Sequence, residues 1–518
     1  MLVILGWTLA SRAAFGGLPL GPDQGLYITI GEEIKHGRVP WRDAWDNKPP
    51  GTYYLYAAAL TLGPDYSQQC TLAGPLIPSE GFLIRCAQFT LTAVDVLWTL
   101  AVVAATWWIA ARLFGGPAGA LAGLLCAFFI SMASVAHGGN TPDDLALLPS
   151  TLAVAATLGY AGSGRRSALV LAGALGAAAV LFKQTAIVVL LGLALWGLLG
   201  PHRRRDLPAL ALGALLVFGA TAAVFARLGV LGDLVEQTLL WNGRYVAAPG
   251  LAQIPLQAAR QSFRVFTDSQ GGLWLAALGA LPLVPRVRRG DRRLAGPHGD
   301  PGVAMGALAL LLIWVVASCL GLALGGARFF AYYYVAVVPP LAVCGAFGLA
   351  ELWRGSRGPG HAWLAVAGAA LVVFCGQLQA HVFQRAWYER LVSTVWTPEE
   401  FVGGSIKGDP GTLFVWGNGS QVYAISGVRP ASRYLHTLAL SSDFGVTAQV
   451  AEHRRELMAT LEAAPPDHIA LDTPWLTTNG TQPFPELRAL LDRDYTLAND
   501  PKNPTMAGWE LYRLKSPR

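Results

Sequence analysis

The chain has 518 residues, of which 53% are hydrophobic and 14% are charged, and its formal net charge is +6. Soluble domains carry about 25% charged residues, so this composition argues against an ordinary soluble enzyme. Charge is denser towards the end, since 28 of the 138 residues from His381 onward are charged, against 42 of the 380 before it. These numbers predict a membrane-embedded body, 1–380, followed by a soluble domain, 381–518.

Runs of predominantly apolar residues mark the predicted membrane spans. A helix needs about 20 such residues to cross a bilayer, and by that measure the sequence predicts about eleven spans. In chain order they are Met1–Leu18, Phe82–Ala111, Pro117–Ala136, Leu145–Ala161, Ala168–Phe182, Thr185–Leu199, Leu207–Ala226, Gly272–Val284, Val303–Leu324, Phe330–Leu349 and Ala362–Gln379. The first run lacks the basic start of a signal peptide, so it is interpreted as a retained helix.

The short loops on one side of these spans are rich in arginine. Thirteen of the 25 basic residues before residue 381 lie there, at Arg112, Arg165–Arg166, Arg203–Arg205, Arg286–Arg293 and Arg354–Arg357. Basic loops favour the cytoplasmic side of a membrane, which explains the positive charge better than nucleic-acid binding does. The first long loop, 19–81, and the tail are therefore predicted to lie outside the cytoplasm.

The tail alternates short strands with helices. Thr412–Trp416, His468–Asp472 and Trp509–Leu514 are apolar runs typical of strands, whereas Ala448–Ala463 and Pro485–Arg493 have helical spacing. This order predicts a small extracytoplasmic α/β domain at the C-terminus.

The first long loop is rich in ionisable residues although it directly follows a predicted membrane helix. Asp23 lies just beyond the end of that helix, where an unpaired carboxylate is costly. Such a residue either takes part in chemistry or caps the helical run Gln24–His36 that follows it. The residues themselves leave both readings open.

Further motifs follow Asp23 in the same loop, namely Gly37-Arg-Val-Pro-Trp and Trp45-Asp-Asn-Lys-Pro-Pro-Gly. Together they resemble the first loop of GT-C membrane glycosyltransferases, in the subgroup related to protein O-mannosyltransferases and aminoarabinose lipid A transferases. The resemblance covers most of the chain, because family-like motifs continue in order. They are Gly139-Asn-Thr-Pro-Asp-Asp, Leu181-Phe-Lys-Gln-Thr-Ala, Trp241-Asn-Gly-Arg-Tyr, Arg328-Phe-Phe-Ala-Tyr-Tyr-Tyr, Val338-Pro-Pro-Leu, Val415-Trp-Gly, Tyr423 and Ala431-Ser-Arg-Tyr.

The resemblance implies a GT-C fold and transfer of a sugar from a polyprenyl-phosphate donor at the outer face of the membrane. It makes Asp23 the general base that receives the proton of the acceptor hydroxyl. Because attack and departure occur on opposite faces of the anomeric carbon, we expect inversion. Asp143 and Asp144 match a second acidic site of the family, although acidic residues in a first helical turn also complement the helix dipole.

Two lysines, Lys48 and Lys183, match family positions near the donor phosphate, and Arg328, which opens an outward-facing helix end, is a further candidate for binding the phosphate. Lysine suits phosphate because it carries a compact point charge. Lys183 adds independent support, because it stands by itself in an apolar region on the outer side, where basic residues are disfavoured. Snorkelling of Lys183 and anchoring of Arg328 against lipid headgroups are the alternatives.

The substrate pocket is expected to involve Tyr27 and Asp46 of the first loop, with Tyr332, Tyr333 and Tyr334 from the start of a late helix. Consecutive tyrosines at that depth are also typical of an interfacial aromatic belt.

No cofactor is implied with certainty, and a divalent cation is left open. Related enzymes that bind a metal place a carboxylate just before Lys-Pro-Pro, where this chain has Asn47, and no histidine is clearly placed to complete such a site. The six cysteines show no metal-binding spacing. Cys70 and Cys86, in or beside the first loop, are candidates for a disulfide if that loop is outside the cytoplasm.

The sequence therefore predicts an inverting glycosyltransferase of a bacterial plasma membrane that acts on a glycan, lipid or protein acceptor. The main alternative is a polytopic transporter or flippase of a lipid-linked sugar. Transporters often show broken midplane helices and repeat symmetry, and neither is clear in this sequence. A catalytically inactive relative is a third reading, against which the retention of Asp23, Lys48 and Lys183 argues.

Overall fold

The computed structural model describes residues 2–13, 15, 19–63, 86–200, 203–247, 254–280, 301–325, 328–355, 397–441, 449–473, 484–500 and 504–515. Within these ranges the chain is mainly α-helical and has a five-stranded sheet near its C-terminus. The chain divides into two compact units. The first comprises Met1–Phe15, Thr92–Val224 and Pro249–Tyr388, and the second comprises Gly16–Leu91, Phe225–Ala248 and Glu389–Arg518.

The first unit is built from apolar helices around a shared core of aliphatic and aromatic side chains. The helices wholly or mainly in this unit are Leu2–Ala13, Cys86–Phe114, Gly116–Ile130, Ala133–Ala136, Pro142–Ser163, Arg166–Phe182, Ile187–Leu199, Arg203–Arg227, Ile254–Val265, Gly271–Leu278, Pro301–Ala323 and Val338–Gly355. The short segments Gln184–Ala186 and Ala331–Val337 are 3₁₀-helical, and Phe266–Gln270 is a π-helical turn.

Glycines separate successive helices of this unit. Gly115 has φ 93° between Cys86–Phe114 and Gly116–Ile130, and Gly164 has φ 67° at the C-cap of Pro142–Ser163. Residues with a Cβ avoid this left-handed region, so glycine is the residue that lets a helix end and the chain reverse within a few residues.

Within the described residues, five helices are long and apolar enough to cross a membrane: Thr90–Phe114, Pro142–Ser163, Arg205–Arg227, Gly306–Ala323 and Ala331–Ala350. Each predicted span before residue 350 contains a helix, and the chain is a multi-pass membrane protein. The predicted span Ala362–Gln379 lies outside the described residues. The total of about eleven spans therefore stays a prediction.

The second unit contains helices of the first loop, of the 225–248 segment and of the tail. They are Pro22–Lys35, Pro50–Leu62, Leu231–Val235, Asn242–Ala247, Pro398–Ser405, Gln421–Ser426, Val450–Ala463 and Pro485–Asp494. Pro22, Pro50, Pro398 and Pro485 each begin a helix, where the missing N–H of proline costs no hydrogen bond. The residues Glu236–Trp241 form a π-helical turn.

The sheet of the second unit consists of β1 (Thr412–Trp416), β2 (Arg429–Pro430), β3 (His468–Asp472), β4 (Tyr495–Leu497) and β5 (Trp509–Leu514). Its order is β2-β1-β3-β5-β4. β1 is parallel to β2 and β3, whereas β5 is antiparallel to β3 and β4. The predicted α/β character is confirmed, and so are the predicted strands, which are β1, β3 and β5. β2 and β4 have two and three residues, too short to leave an alternating pattern.

The predicted division of the chain at residue 380 stays a prediction, because residues 356–396 are not described. What the structure adds is that the first loop and the tail belong to the same compact unit. Trp45 of the loop and Trp241 share a buried core with Phe414, Trp416 and Tyr434 of the tail.

Candidate functional site

Asp23 lies inside a helix, at its second position. The helix runs Pro22–Lys35, its N-cap residue is Gly21, and the cap has no side-chain hydrogen bond. Asp23 is therefore not the N-cap residue that the alternative reading required. Its half-buried carboxylate sits in the first turn, where the helix dipole favours negative charge. No described residue donates a hydrogen bond to it.

Asp46 is fully buried in the second unit, at 2% exposure. Tyr53 donates its hydroxyl proton to Asp46 Oδ2, the Asn47 N–H donates to Asp46 Oδ1 at 2.7 Å, and His436 Nε2 lies 3.5 Å from Oδ1. Burial opposes ionisation, but the interactions with His436, Lys48 and Tyr53 outweigh it and lower the pKa of Asp46 to about 2. Asp46 is therefore an anion at neutral pH.

Lys48 is held by a chain of amide contacts. Its ammonium donates to Asn47 Oδ1 at 2.7 Å, and Asn47 Nδ2 in turn donates to Asn242 Oδ1 at 3.2 Å. Trp45 packs edge-on against Trp241, with 5.1 Å between the ring centroids. The Lys-Pro-Pro motif and the Trp-Asn-Gly-Arg-Tyr motif, about 195 residues apart in the chain, therefore meet in the second unit.

The Ala-Ser-Arg-Tyr motif of the tail joins the same cluster. The backbone N–H of Trp45 donates to the Arg433 carbonyl at 2.7 Å, and the Arg433 guanidinium donates through Nη1 to the Trp41 carbonyl at 3.3 Å. Trp41 is completely buried and has φ 69°, a conformation that bulky residues avoid. Strained residues persist where the surroundings hold them, and here Phe225 and Tyr53 pack edge-on against Trp41.

Tyr27 is also buried in the second unit, at 1% exposure. Its ring contacts those of Tyr53 and Tyr56, at centroid distances of 6.0 and 5.6 Å. It lies four residues from Asp23, on the same helix. Its predicted place in a substrate pocket stays a prediction.

Lys183 lies in a break between two apolar helices of the first unit. Arg166–Phe182 ends just before it, and its backbone is extended, with φ −145° and ψ 126°. The ammonium donates to Asp143 Oδ1 and lies 3.7 Å from the centre of the Tyr333 ring. Lys183 is 9% exposed, so a carboxylate and a π face together compensate a buried cation.

A pocket opens beside this lysine, with about 540 Å³ of empty space including its mouth. Its lining combines apolar side chains with polar ones, among them Asp143, Thr151, Lys183 and Ser318. The buried Thr151 hydroxyl has no hydrogen-bond partner among the described residues. An apolar cleft with a few convergent polar groups is the usual form of a small-molecule site.

Asp144 has a different set of contacts from Asp143. It completes a capping box at the start of Pro142–Ser163, accepting from the Thr141 hydroxyl at 2.7 Å while the Asp144 N–H donates to Thr141 Oγ1. Its Oδ1 lies 3.5 Å from Nη2 of the completely buried Arg12. Both carboxylates lie in the first turn of this helix, and Asp143 is the one that contacts Lys183. Their predicted catalytic role stays a prediction.

The three consecutive tyrosines lie in three environments. Tyr333 lines the pocket, whereas Tyr332 stacks on His137 at 4.8 Å. Tyr334 is buried in the apolar core at 1% exposure, with its hydroxyl 2.7 Å from that of Ser262. Arg328 is half-buried just before this segment. Its predicted contact with phosphate stays a prediction.

Sequence reasoning missed two further charged residues, Arg12 and Asp95, because each lies within a run assigned as a membrane span. It also missed His436, whose contact with Asp46 spans most of the chain. The signal for Arg12 and Asp95 was present, since ionisable residues inside membrane helices are rare and usually functional. His436 has no comparable local signal.

Among the described residues, no group of three or more His, Cys, Asp or Glu side chains is arranged to hold a metal ion. Cys126, Cys319 and Cys344 are free thiols within the apolar helices. The proposed pairing of Cys70 with Cys86 falls on side chains outside the described part of the chain.

The chain is similar to known membrane glycosyltransferases. The family model for dolichyl-phosphate-mannose-protein mannosyltransferase matches residues 82–226. ArnT from Cupriavidus metallidurans, solved bound to undecaprenyl phosphate, is similar over 99% of this chain and 97% of its own, with 14% identity and a TM-score of 0.60. By sequence, the chain matches no curated protein significantly.

The apo oligosaccharyltransferase of Archaeoglobus fulgidus is a second structural relative. The similarity covers 91% of this chain and 70% of that protein, with 14% identity and a TM-score of 0.55. At such identities a structural likeness establishes the fold. The predicted GT-C fold and the resemblance to the group that includes O-mannosyltransferases and ArnT are therefore confirmed.

Proposed function

We propose that this chain, which has the fold of the GT-C membrane glycosyltransferases, transfers a monosaccharide from a polyprenyl-phosphate donor to an acceptor at the outer face of a bacterial plasma membrane. The observation that carries the proposal is Lys183. This cation lies at a break between two apolar helices and on the wall of a pocket, where it is paired with Asp143 and covered by Tyr333.

A lipid phosphate is the ligand that suits this pocket. Its phosphate needs a fixed cation, and its hydrocarbon chain needs an apolar wall. The pocket offers Lys183 for the first need and Val189, Trp314 and Leu147 for the second. ArnT of C. metallidurans, which shares the fold over nearly its whole length, was solved with undecaprenyl phosphate bound, and this supports the same class of donor here.

The chemistry of transfer assigns a role to each group. A base takes the proton of the acceptor hydroxyl, the acceptor oxygen bonds to the anomeric carbon, and the bond from that carbon to the phosphate oxygen breaks. The polyprenyl phosphate leaves as an anion, and the anomeric configuration inverts. We assign the base to Asp23, whose carboxylate accepts no hydrogen bond from a described residue. Lys183 stabilises the charge on the departing phosphate.

Lys48 and Arg328 are assigned as further candidates for binding the donor phosphate, on the strength of the family-like motifs that contain them. The Asn47–Asn242 hydrogen bond supports this assignment for Lys48, because it fixes the Asn47 side-chain amide that accepts a hydrogen bond from the Lys48 ammonium. The outer-face location of the reaction and of the tail rests on the arginine-rich loops of the opposite side.

The proposal is tested by reconstituting transfer with purified protein in detergent. Polyprenyl-phosphate sugars and envelope acceptors extracted from the host provide the substrates, and mass spectrometry follows both pools. We expect one donor to be consumed and one glycan, lipid or protein to gain a sugar. A detergent micelle does not separate two aqueous compartments, so a transporter or flippase would leave every donor unconsumed.

A deletion strain gives the complementary evidence. We expect it to accumulate a polyprenyl-phosphate sugar and to lose one sugar from an envelope glycan. Wild-type protein and a Lys407→Ala control, which alters an exposed lysine, should restore both pools, whereas Lys183→Met should not. Unchanged donor and glycan pools in the deletion strain would contradict the proposed function.

A further inference from the structure

Three charged side chains are buried together in the first unit. Arg12, Asp95 and Asp144 are 0%, 4% and 4% exposed. Arg12 Nη1 donates to Asp95 Oδ1 and Oδ2, both at 3.3 Å, and its Nη2 lies 3.5 Å from Asp144 Oδ1. Nη2 also donates to the Ile130 carbonyl at 2.8 Å, and Phe15 covers the guanidinium. One cation thus joins the helices that carry these residues.

Both carboxylates also hold the turn that precedes the helix Pro142–Ser163. The Asn140 N–H donates to Asp95 Oδ1 at 3.2 Å, and the Thr141 hydroxyl donates to Asp144 Oδ2 at 2.7 Å. A Cβ at Gly139 would lie 2.8 Å from the Asp95 carboxyl carbon. The backbone of this turn therefore closes directly against the Asp95 side chain.

The same turn leads into the pocket. Asp143 follows Thr141 by two residues, and its carboxylate accepts a hydrogen bond from the Lys183 ammonium on the pocket wall. A displacement of the turn therefore displaces the carboxylate that orients Lys183. Asp95 acts on the backbone of the turn, and Arg12 fixes Asp95 and Asp144 relative to each other.

A buried ion cluster of this kind is poor evidence of stability, because the desolvation of the charges can exceed their attraction. Well-packed apolar residues would join the three helices as firmly. Apolar residues would not provide a directional acceptor for the Asn140 N–H. The charged residues therefore serve to fix the geometry of the turn.

We propose that Arg12 and Asp95 are positioning residues, which hold the turn 137–141 so that Asp143 fixes the Lys183 ammonium in the pocket. The consequence for the donor rests on the proposed function, in which Lys183 binds the donor phosphate. The geometric claim itself concerns the turn and the Asp143–Lys183 pair.

The informative variant is Asp95→Asn. It weakens the acceptor for the Asn140 N–H, yet Arg12 and Asp144 remain as a balanced pair of opposite charges, so the variant should fold. The matched control is Asp206→Asn, which also removes a buried carboxylate from an apolar helix. Asp206 is 5% exposed and accepts from the Tyr160 hydroxyl at 2.6 Å, within the same unit.

Hydrogen–deuterium exchange tests the geometry without any ligand. In Asp95→Asn we expect amide exchange in residues 137–144 to rise by about tenfold, the difference between a charged and a neutral acceptor. Asp206→Asn should leave this segment as protected as in the parent. Parent-like protection in Asp95→Asn, or an equal rise in the control, would overturn the inference.

Binding of undecaprenyl phosphate by the full chain in detergent tests the consequence for the pocket. Asp95→Asn should weaken binding several-fold in the parent background, and should have no further effect when added to Lys183→Met. Coupled residues give such non-additive effects. Independent, additive losses would overturn the positioning role. If Lys183→Met binds like the parent, the proposed donor site fails, and the exchange measurement then decides the inference by itself.

Discussion

His436 lies opposite Asp46 with its Nε2 3.5 Å from the carboxylate, while its Nδ1 accepts the backbone N–H of Leu438 at 3.1 Å. A ring nitrogen that accepts a hydrogen bond carries no proton, so Nε2 is the nitrogen that presents a proton to Asp46. The His436 ring, the nearby Lys48 charge and the Tyr53 hydroxyl together keep the buried Asp46 ionised.

Acid should destabilise the second unit through Asp46. Its folded-state pKa of about 2 lies below the value of about 3.9 in an unfolded chain. A lowered folded-state pKa stabilises the fold above the unfolded pKa, and this stability is lost as the pH falls from about 4 towards 2. The expected loss is about 2 kcal/mol. Thermal unfolding of the purified protein between pH 6 and pH 2 measures it.

The variant Asp46→Asn identifies the group responsible. It should unfold at a lower temperature than the parent at pH 6, yet its Tm should depend less on pH below 4. Glu452→Gln, which alters an exposed carboxylate in the same unit, should keep the parental profile. A parental acid slope in Asp46→Asn would show that other carboxylates carry the effect.

Asp23→Asn should separate chemistry from folding. Because Gly21 is the N-cap, the amide removes no cap, and the helix Pro22–Lys35 should form as before. An amide cannot accept the acceptor's proton, so we expect transfer to slow by roughly 10²–10⁴-fold. Single-turnover transfer by purified protein, with circular dichroism and Tm as checks of folding, measures the effect.

Glu32→Gln is the control for this experiment, since Glu32 lies near the other end of the same helix and pairs with Lys35. It should transfer sugar at the parental rate. If Asp23→Asn is equally active, its carboxylate serves the helix dipole and the assigned base is wrong.

Removal of either proposed phosphate-binding lysine should weaken donor use. A charge-assisted contact is worth roughly 1.5–3 kcal/mol, which corresponds to about 10- to 150-fold in donor affinity. We therefore expect Lys48→Ala and Lys183→Met each to raise the donor Kd, measured with undecaprenyl phosphate. Lys407→Ala controls for the loss of a positive charge.

Lys183→Met leaves Asp143 without its cation, which itself destabilises a buried site. The double variant Lys183→Met/Asp143→Asn removes both charges and should recover folded yield without recovering affinity. Parental affinity in both Lys48→Ala and Lys183→Met would rule out these two lysines as ligands of the phosphate.

The tail should lie outside the cytoplasm. The arginine-rich loops motivate this prediction, because basic loops are retained on the cytoplasmic side. Alkaline phosphatase, which folds outside the cytoplasm, should be active when fused after Leu514, and inactive when fused after Gly164. The reverse pattern would invert the assigned orientation and with it the side of the membrane on which the reaction occurs.

Local patterns predicted most of the fold. Apolar runs located a helix in each predicted span before residue 350, and Lys183 was recognisable because a cation interrupts such a run. The tail strands β1, β3 and β5 were predicted from short apolar runs in the same way. Boundaries depended on single residues, as at Asp23, where Gly21 and Pro22 begin the helix before the carboxylate.

Long-range pairing could not be read from the sequence. Nothing near Asp46 indicates that His436, 390 residues later, faces it. Arg12 and Asp95 are 83 residues apart and occupy different helices, so each by itself looks like a tolerated charge in a span. Such contacts depend on which helices become neighbours, and tertiary packing decides that.

The turn before Pro142 also limits which sequences this region can accept. His137, Gly138, Gly139 and Asn140 have φ values of 47°, 85°, 81° and 54°, against the handedness that L-residues prefer. That preference is worth about 1–2 kcal/mol per residue for non-glycine positions. Gly138 and Gly139 do not incur this free-energy cost. At Gly138 a D-alanine would suit the backbone better than an L-alanine. A one-residue slip of the chain would place the β-branched Thr141 in the left-handed region, which such residues rarely adopt. The left-handed backbone of this turn therefore fixes the residue at which the helix begins, independently of the side chains that line the pocket.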